Sequence, residues 1–142
     1  MKTLGIDYGL RRIGLALTDI NCTIASPLKT IPNRGDKKNV IEIADIIRAH
    51  RVERIVLGLP RYPDGNDSPF THAVRDFGTM LYEKTGIWVV YFDEGYTSRM
   101  AEEHIKVNLG IRDPKKIRDL VDKVAASMIL SEYITSEGKN GK

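Results

Sequence analysis

One cysteine in 142 residues, Cys22, cannot close an intramolecular bridge, so a disulfide framework is excluded and a reducing compartment is the expectation. The three histidines, His50, His72 and His104, fall on or near three different helical stretches and give no zinc-ligand spacing with one another or with that cysteine. No apolar run approaches the ~20 residues of a membrane span, which argues against a membrane partner. The start, Met1-Lys2-Thr3-Leu4-Gly5-Ile6-Asp7, meets an acid at once and carries neither a signal-peptide core nor a transit-peptide bias, so a cytoplasmic location is expected. There is no G-x-x-x-x-G-K-[ST] loop, and Gly9 to Gly14 lacks the spacing and following helix of a dinucleotide fingerprint. What is present is ordinary globular material, 42% hydrophobic and 29% charged. A chain of this size buries roughly two thirds of its unfolded surface without help from metal or disulfide, and it is too short for two full domains. The 22 Lys+Arg against 19 Asp+Glu leave +3 and a pI near 9.0, which favours a polyanionic partner only weakly.

Three β-rich stretches come first, Thr3–Tyr8, Ile13–Thr18 and Thr23–Ile31, too closely spaced for a helix between them, and they predict an antiparallel meander. Helical spacing of Val40, Ile41, Ala44 and Ile47 predicts a helix over Lys37–His50. Arg54–Leu59 reads as a strand covered on both faces. Arg61–Pro69 is rich in turn formers and is expected to be a mobile loop. A helix bearing Phe70, Ala73, Val74, Phe77 and Leu81 follows, then a buried strand over Trp88–Phe92 that stops at Asp93-Glu94-Gly95. Thr97 or Ser98 can cap a helix running to Asn108, and Asp113-Pro114 starts a last one that continues to about Thr135, leaving 136–142 as a polar tail. The order βββαβαβαα implies a single α/β domain over residues 1–135, built on one mixed five-stranded sheet with helices on both faces.

Acids stand at three conspicuous places. Asp7 ends the first strand between two glycines, where a carboxylate either braces a turn or meets a ligand. Asp93-Glu94 ends the fifth strand, the end at which ligand sites gather in open α/β sheets; alternation sends the two side chains to opposite faces, and periodicity does not say which faces a site. On the last helix Ile117, Leu120, Val121, Val124, Ala125, Met128 and Ile129 form one broad apolar arc. Asp122 falls at its edge, beside small Ala125 and Ala126 that let the helix approach the sheet, whereas Asp119 faces solvent. Such a set suits a hard divalent cation, because magnesium takes a few carboxylates, keeps several waters and accepts a substrate phosphate.

Cations lie next to these acids in the chain. Arg11 and Arg12 follow Asp7, Arg61 and Arg99 follow the other two strand ends, and Lys106, Arg112, Lys115, Lys116, Arg118 and Lys123 crowd the last helical region. Most charge runs are solvated faces. Cations beside metal-binding acids are also what a phosphodiester substrate needs, which marks Arg11, Arg12, Arg61, Arg99, Lys115 and Lys116 as candidate phosphate contacts.

Taken together, Gly5-Ile6-Asp7-Tyr8-Gly9, Arg12-Ile13-Gly14-Leu15-Ala16 with Asp19, Gly58-Leu59-Pro60, Asp93-Glu94 with Thr97-Ser98 and Ala101, and Val121-Asp122 with Ala125-Ala126 and Ile129-Leu130 resemble the YqgF family of Holliday junction resolvase-like proteins, also described as pre-16S rRNA nucleases. The resemblance runs from Leu4 to Tyr133. It implies a ribonuclease H-like fold and an acidic triad of Asp7, Glu94 and Asp122. One position departs from the family pattern: Gly95-Tyr96 stand where Arg and Leu usually follow the acidic pair, with Arg99 one turn further on.

The leading expectation is a two-metal nuclease for structured RNA, the 5′ end of pre-16S rRNA above all, or for branched DNA. Asp7 would bridge two Mg²⁺ or Mn²⁺ ions, with Glu94 and Asp122 each completing one site. The alternative is a nucleic-acid or pre-ribosome binding module whose acidic site is weak or inactive; under either reading a monomer or a homodimer is expected. A phosphotransferase of the sugar-kinase type also carries an Asp beside a glycine turn on its first strand, but it closes two domains over its nucleotide.

Overall fold

In the computed structural model, which describes residues 1–93 and 98–140, the side chains of 98, 99 and 138–140 excepted, nine elements follow one another. They are β1 (Thr3–Tyr8), β2 (Arg12–Thr18), β3 (Ala25–Pro32), α1 (Asp36–His50), β4 (Arg54–Leu59), α2 (Pro69–Thr85), β5 (Val89–Asp93), α3 (Ser98–Asn108) and α4 (Pro114–Asn140). The strands form one sheet in the order β3-β2-β1-β4-β5, with β1–β2 and β2–β3 antiparallel and β1–β4 and β4–β5 parallel. This is the mixed α/β sheet that the element order predicts.

Strand alternation divides the core in two. Leu4, Ile6, Ile13, Leu15, Ile31, Ile55, Leu57 and Leu59 face α1 and α2, where Val40, Ile43, Ile47, Val74, Phe77 and Leu81 cover them. The other face carries Gly5, Gly14, Ala16 and Val56, and α4 lies across it through Ala126, Ile129, Leu130 and Tyr133. A second stripe of α4, Ile117, Val121, Val124 and Ala125, packs against Ala101 and Ile105 of α3. The broad arc on α4 thus serves two neighbours: Ala126 meets the sheet and Ala125 meets α3.

Two boundaries and two faces differ from expectation. The strand expected to be buried over Trp88–Phe92 is β5, which starts at Val89 and lies at the sheet edge, so it is covered only in part: Trp88 is outside it and 70% exposed, and Tyr91 is exposed. Ile41 is 54% exposed; the buried stripe of α1 is Val40, Ile43, Ala44 and Ile47, and at ~100° per residue Ile41 lies well outside it. The last helix runs beyond Thr135 to Asn140, because a polar extension clear of the core costs a helix little once its apolar turns are anchored. β3 begins later, at Ala25, because the Asp19 carboxylate accepts hydrogen bonds from the Thr23 and Ile24 backbone amides at 2.7 and 2.9 Å and holds the preceding residues in a turn.

The start of α2 has its own lock. Ser68 Oγ accepts from the Thr71 amide at 3.1 Å while Thr71 Oγ1 accepts from the Ser68 amide at 2.9 Å, and Pro69 occupies the first helical position. Replacing Ser68 with Ala is expected to cost about 1 kcal/mol, a fall of roughly 3 °C in midpoint by thermal denaturation at this chain length.

Candidate active site

Asp7 and Asp122 meet because small residues let α4 down onto the sheet. Asp7 and Gly14 are register partners on β1 and β2, and both lie on the α4 side. A Cβ on Gly14 would overlap the backbone carbonyl of Asp122, so the helix rests on the glycine itself. Two turns on, a Cβ on Gly5 would stand 3.0 Å from Leu130 Cβ and 3.2 Å from the Ala126 carbonyl oxygen, a tight but not overlapping fit. The crossing brings Asp122 to the edge of an open cavity of about 480 Å³ lined by Asp7, Tyr8, Arg11, Arg12, Pro60 and Phe70 among others.

The electrostatics follow from that approach. Burial, and secondly the Asp122 charge, lift the Asp7 carboxyl from 3.8 to about 6. Asp122 is compensated from the other side: Arg12 Nε donates to its Oδ2 at 2.6 Å. Tyr8, whose ring packs on Phe70 and Phe77 on the opposite sheet face, donates its hydroxyl to Asp36 at 2.5 Å and fixes the chain beside Asp7.

Asp93 lies elsewhere. Its register partner is Leu59, which places it on the α2 face of the sheet, away from Asp7. There Arg61 Nη1 donates to it at 3.2 Å, and Arg61 Nε reaches Asp67 at 3.1 Å. Arg61, offered by the sequence as a phosphate contact, is therefore engaged by two carboxylates that tie the 61–68 loop to the end of β5. Glu94 and Gly95-Tyr96 lie outside the described residues, as does the Arg99 side chain. Lys115 and Lys116 are exposed on the first turn of α4; Lys115 precedes Asp122 by about two turns on the same helix side, and Lys116 diverges from it. Arg11 lines the Asp7 cavity, and Asp19, at the far end of β2, serves its turn.

The donor set can be tested against a divalent cation. Among the described residues no group of three His, Cys, Asp or Glu side chains forms a metal cage. The two carboxylates that do share the cavity offer hard oxygens only, and one of them is held at an elevated pKa in the absence of compensating charge. That fits magnesium or manganese, which take one or two carboxylates and retain water. Sequence reading missed Arg12 as the Asp122 partner and Gly14 as the seat of the helix; a glycine inside a strand flags a close approach without saying what approaches.

Known proteins agree with this architecture. The family described as "RuvX: Holliday junction resolvase" matches residues 1–136. A protein of Chloroflexus aggregans named "Putative pre-16S rRNA nuclease" is 40% identical over 131 residues, covering 92% of this chain and 91% of the relative. One of the same name from Carboxydothermus hydrogenoformans is 38% identical over 141 residues, covering 99% and 100%. Among solved structures, Thermus thermophilus RuvC superposes with a TM-score of 0.59 at 13% identity over 98% of this chain and 97% of that one. The fowlpox virus resolvase in complex with Holliday junction DNA gives 0.62 at 12% identity over 96% and 98%. At such identities these two likenesses speak for the fold, which is ribonuclease H-like. With its family match, its curated relatives and the βββαβαβαα sheet in agreement, the chain belongs to the RuvX (YqgF) family of Holliday junction resolvase-like proteins.

Proposed function

We propose that the chain is a divalent-metal-dependent nuclease that hydrolyses phosphodiester bonds in structured RNA, with the 5′ end of pre-16S rRNA as its substrate in the cytoplasm. The observation that carries this reading is the Asp7 carboxyl, lifted to about 6 by burial and by Asp122 on the wall of an open cavity that Arg11 and Arg12 also line. A structural acid would be satisfied by hydrogen bonds or placed in water; this one is desolvated beside a like charge, an arrangement that costs stability unless a cation enters. The names of the relatives point to the same substrate.

Asp7 and Asp122, with Glu94, would hold Mg²⁺ or Mn²⁺, which when bound supplies charge for the phosphate and a lowered pKa for water. Asp7 must first give up its proton, which is favourable above about pH 6. Arg12 neutralises part of Asp122 and keeps that carboxylate from swinging away. Arg11, exposed on the β1–β2 link, offers its guanidinium to an incoming phosphate oxygen, a geometry suited to bidentate contact. Phe70 and Pro60 close the apolar side of the cavity and limit water there.

The test is a Mn²⁺ titration read by thermal denaturation, with RNA cleavage alongside. Mn²⁺ should raise the midpoint of the natural protein, a ligand at 100 times its dissociation constant giving about 2.7 kcal/mol. Asp122→Asn should weaken that response at least tenfold, and EDTA should stop cleavage. Salt-dependent RNA binding without any metal response would instead make the protein a binding module with an inactive acidic site.

A further inference from the structure

The row of register partners Asp7–Gly14 does not end at β2. Gly14 pairs in turn with Thr30 of β3, so Asp7, Gly14 and Thr30 form one line across the α4 side of the sheet. Helix α4 rests on the middle member, which leaves Asp7 on one side of the crossing and Thr30 on the other, two strand spacings or roughly 10 Å apart. Beyond the crossing lies a second open cavity, of about 540 Å³, lined by Arg12, Lys29, Thr30, Arg118, Asp119 and Lys123.

Four cations and one acid line this cavity. Arg12 is spent on Asp122 and Lys29, opposite Leu15, leaves the sheet on the α1 and α2 face, but Arg118 and Lys123 of α4 make no ion pair with the other described residues. Like charges gathered around one depression repel each other until an anion enters. Thr30 supplies an independent sign. Its Oγ1 is buried and has no hydrogen-bond partner, although the residue itself is partly exposed on the cavity wall. No bond holds the side chain in that rotamer, and a turn about χ1 toward an anion gains one. Arg12 lines both cavities, so the two lie on either side of its side chain.

We propose that this second cavity is a binding site for a backbone phosphate of the nucleic acid, on the far side of α4 from the Asp7–Asp122 pair. The inference rests on the nuclease reading above for the identity of its ligand. A substrate is then gripped at two points that straddle α4, and the distal grip supplies affinity and register while the acidic pair does the chemistry.

Binding of a fluorescein-labelled RNA hairpin to the full chain, followed across a salt series in EDTA, tests the site apart from catalysis. The double variant Arg118→Ala/Lys123→Ala should bind at least tenfold more weakly at low salt and show a log–log salt slope shallower by one to two. Lys37→Ala/Lys38→Ala, two exposed lysines at the start of α1 behind the sheet, should change the dissociation constant less than twofold. Thr30→Val should bind three- to tenfold more weakly with an unchanged or higher melting temperature, whereas a purely structural threonine would lower it. The proposal is overturned if Arg118→Ala/Lys123→Ala keeps the natural affinity and slope, or if the α1 pair costs as much. Loss of cleavage in Asp7→Asn together with unaltered RNA binding by Arg118→Ala/Lys123→Ala leaves the nuclease reading standing and removes the second site. RNA binding that responds to Arg118 and Lys123, in a protein that never cleaves, does the reverse.

Discussion

Asp7→Asn should make the metal-free protein more stable at neutral pH and abolish its cleavage activity, two effects of opposite sign from one substitution. The folded-state pKa of Asp7 is raised, from 3.8 to about 6, so the unfolded chain gives up this proton more readily than the folded one. The stability associated with the protonated acid is therefore fully present below pH 3.8 and is lost as pH rises through 6. The gap corresponds to about 3 kcal/mol at pH 7 to 8. Asparagine keeps the shape of the side chain and cannot ionise, so it removes that cost. Thermal denaturation in EDTA should show the variant melting several degrees above the natural protein at pH 7.5, with the advantage vanishing near pH 4. The groups facing Asp7 work in the same direction: Asp122 opposes its ionisation, and Arg12 is committed to Asp122. Cleavage with Mg²⁺ should fall by more than the 10–100-fold that follows loss of a group merely supporting a metal ligand. A destabilised variant at pH 7.5 would mean that Asp7 serves the fold, and unchanged cleavage would mean that it does not serve the chemistry. Gain in one measurement and loss in the other is the signature of an acid kept at a cost for its site.

How much of this could be read in advance depends on the distance over which each residue acts. The strands Thr3–Tyr8 and Arg54–Leu59 are plain in the sequence because their signals, a β-rich stretch in the first and a continuous apolar run in the second, are local. Asp122 is legible at the rim of its arc for the same reason: a helix wheel needs only the helix. Arg12 as its partner is not, since 110 residues separate the two and only the β1–β2 register with the α4 crossing brings them together. The choice between the two acids at the end of β5 is likewise a matter of register: Leu59 opposite Asp93 turns that carboxylate to the α2 face, and Arg61 meets it there. Ile41 shows the limit of periodicity itself, because one more apolar residue beside a true stripe fits a loose helical pattern while facing water. Thr30 gives no sequence signal at all; its importance comes from a hydroxyl without a partner in a cavity that the third strand shares with the last helix.

Gly14→Ala should cost at least about 3 kcal/mol, and the protein that still folds should bind metal poorly. The added Cβ would overlap the Asp122 carbonyl, which belongs to the backbone of α4 and has no rotamer into which to retreat. The helix must lift or slide, and it is no peripheral element: it covers β1, β2, β3 and β4 and carries α3 on its outer stripe. Lifting it opens the contacts of Ala126, Ile129 and Leu130 with the sheet, so cavity formation adds to the overlap. It also withdraws Asp122 from Asp7, and the Asp7 pKa should then fall part of the way back from about 6 toward 3.8, because the Asp122 charge is one of the two causes of its rise. Gly5→Ala makes the graded comparison. Its Cβ would meet Leu130 Cβ at 3.0 Å and the Ala126 carbonyl at 3.2 Å, a fit that a few tenths of an ångström relieve, so its cost should stay near 1–2 kcal/mol with Mn²⁺ binding largely retained. Denaturant unfolding ranks the two variants, and the Mn²⁺ titration separates a general loss of packing from a specific loss of the site. Equal losses at Gly5 and Gly14 in both measurements would show that α4 yields freely and that the glycine under Asp122 does not set the carboxylate spacing.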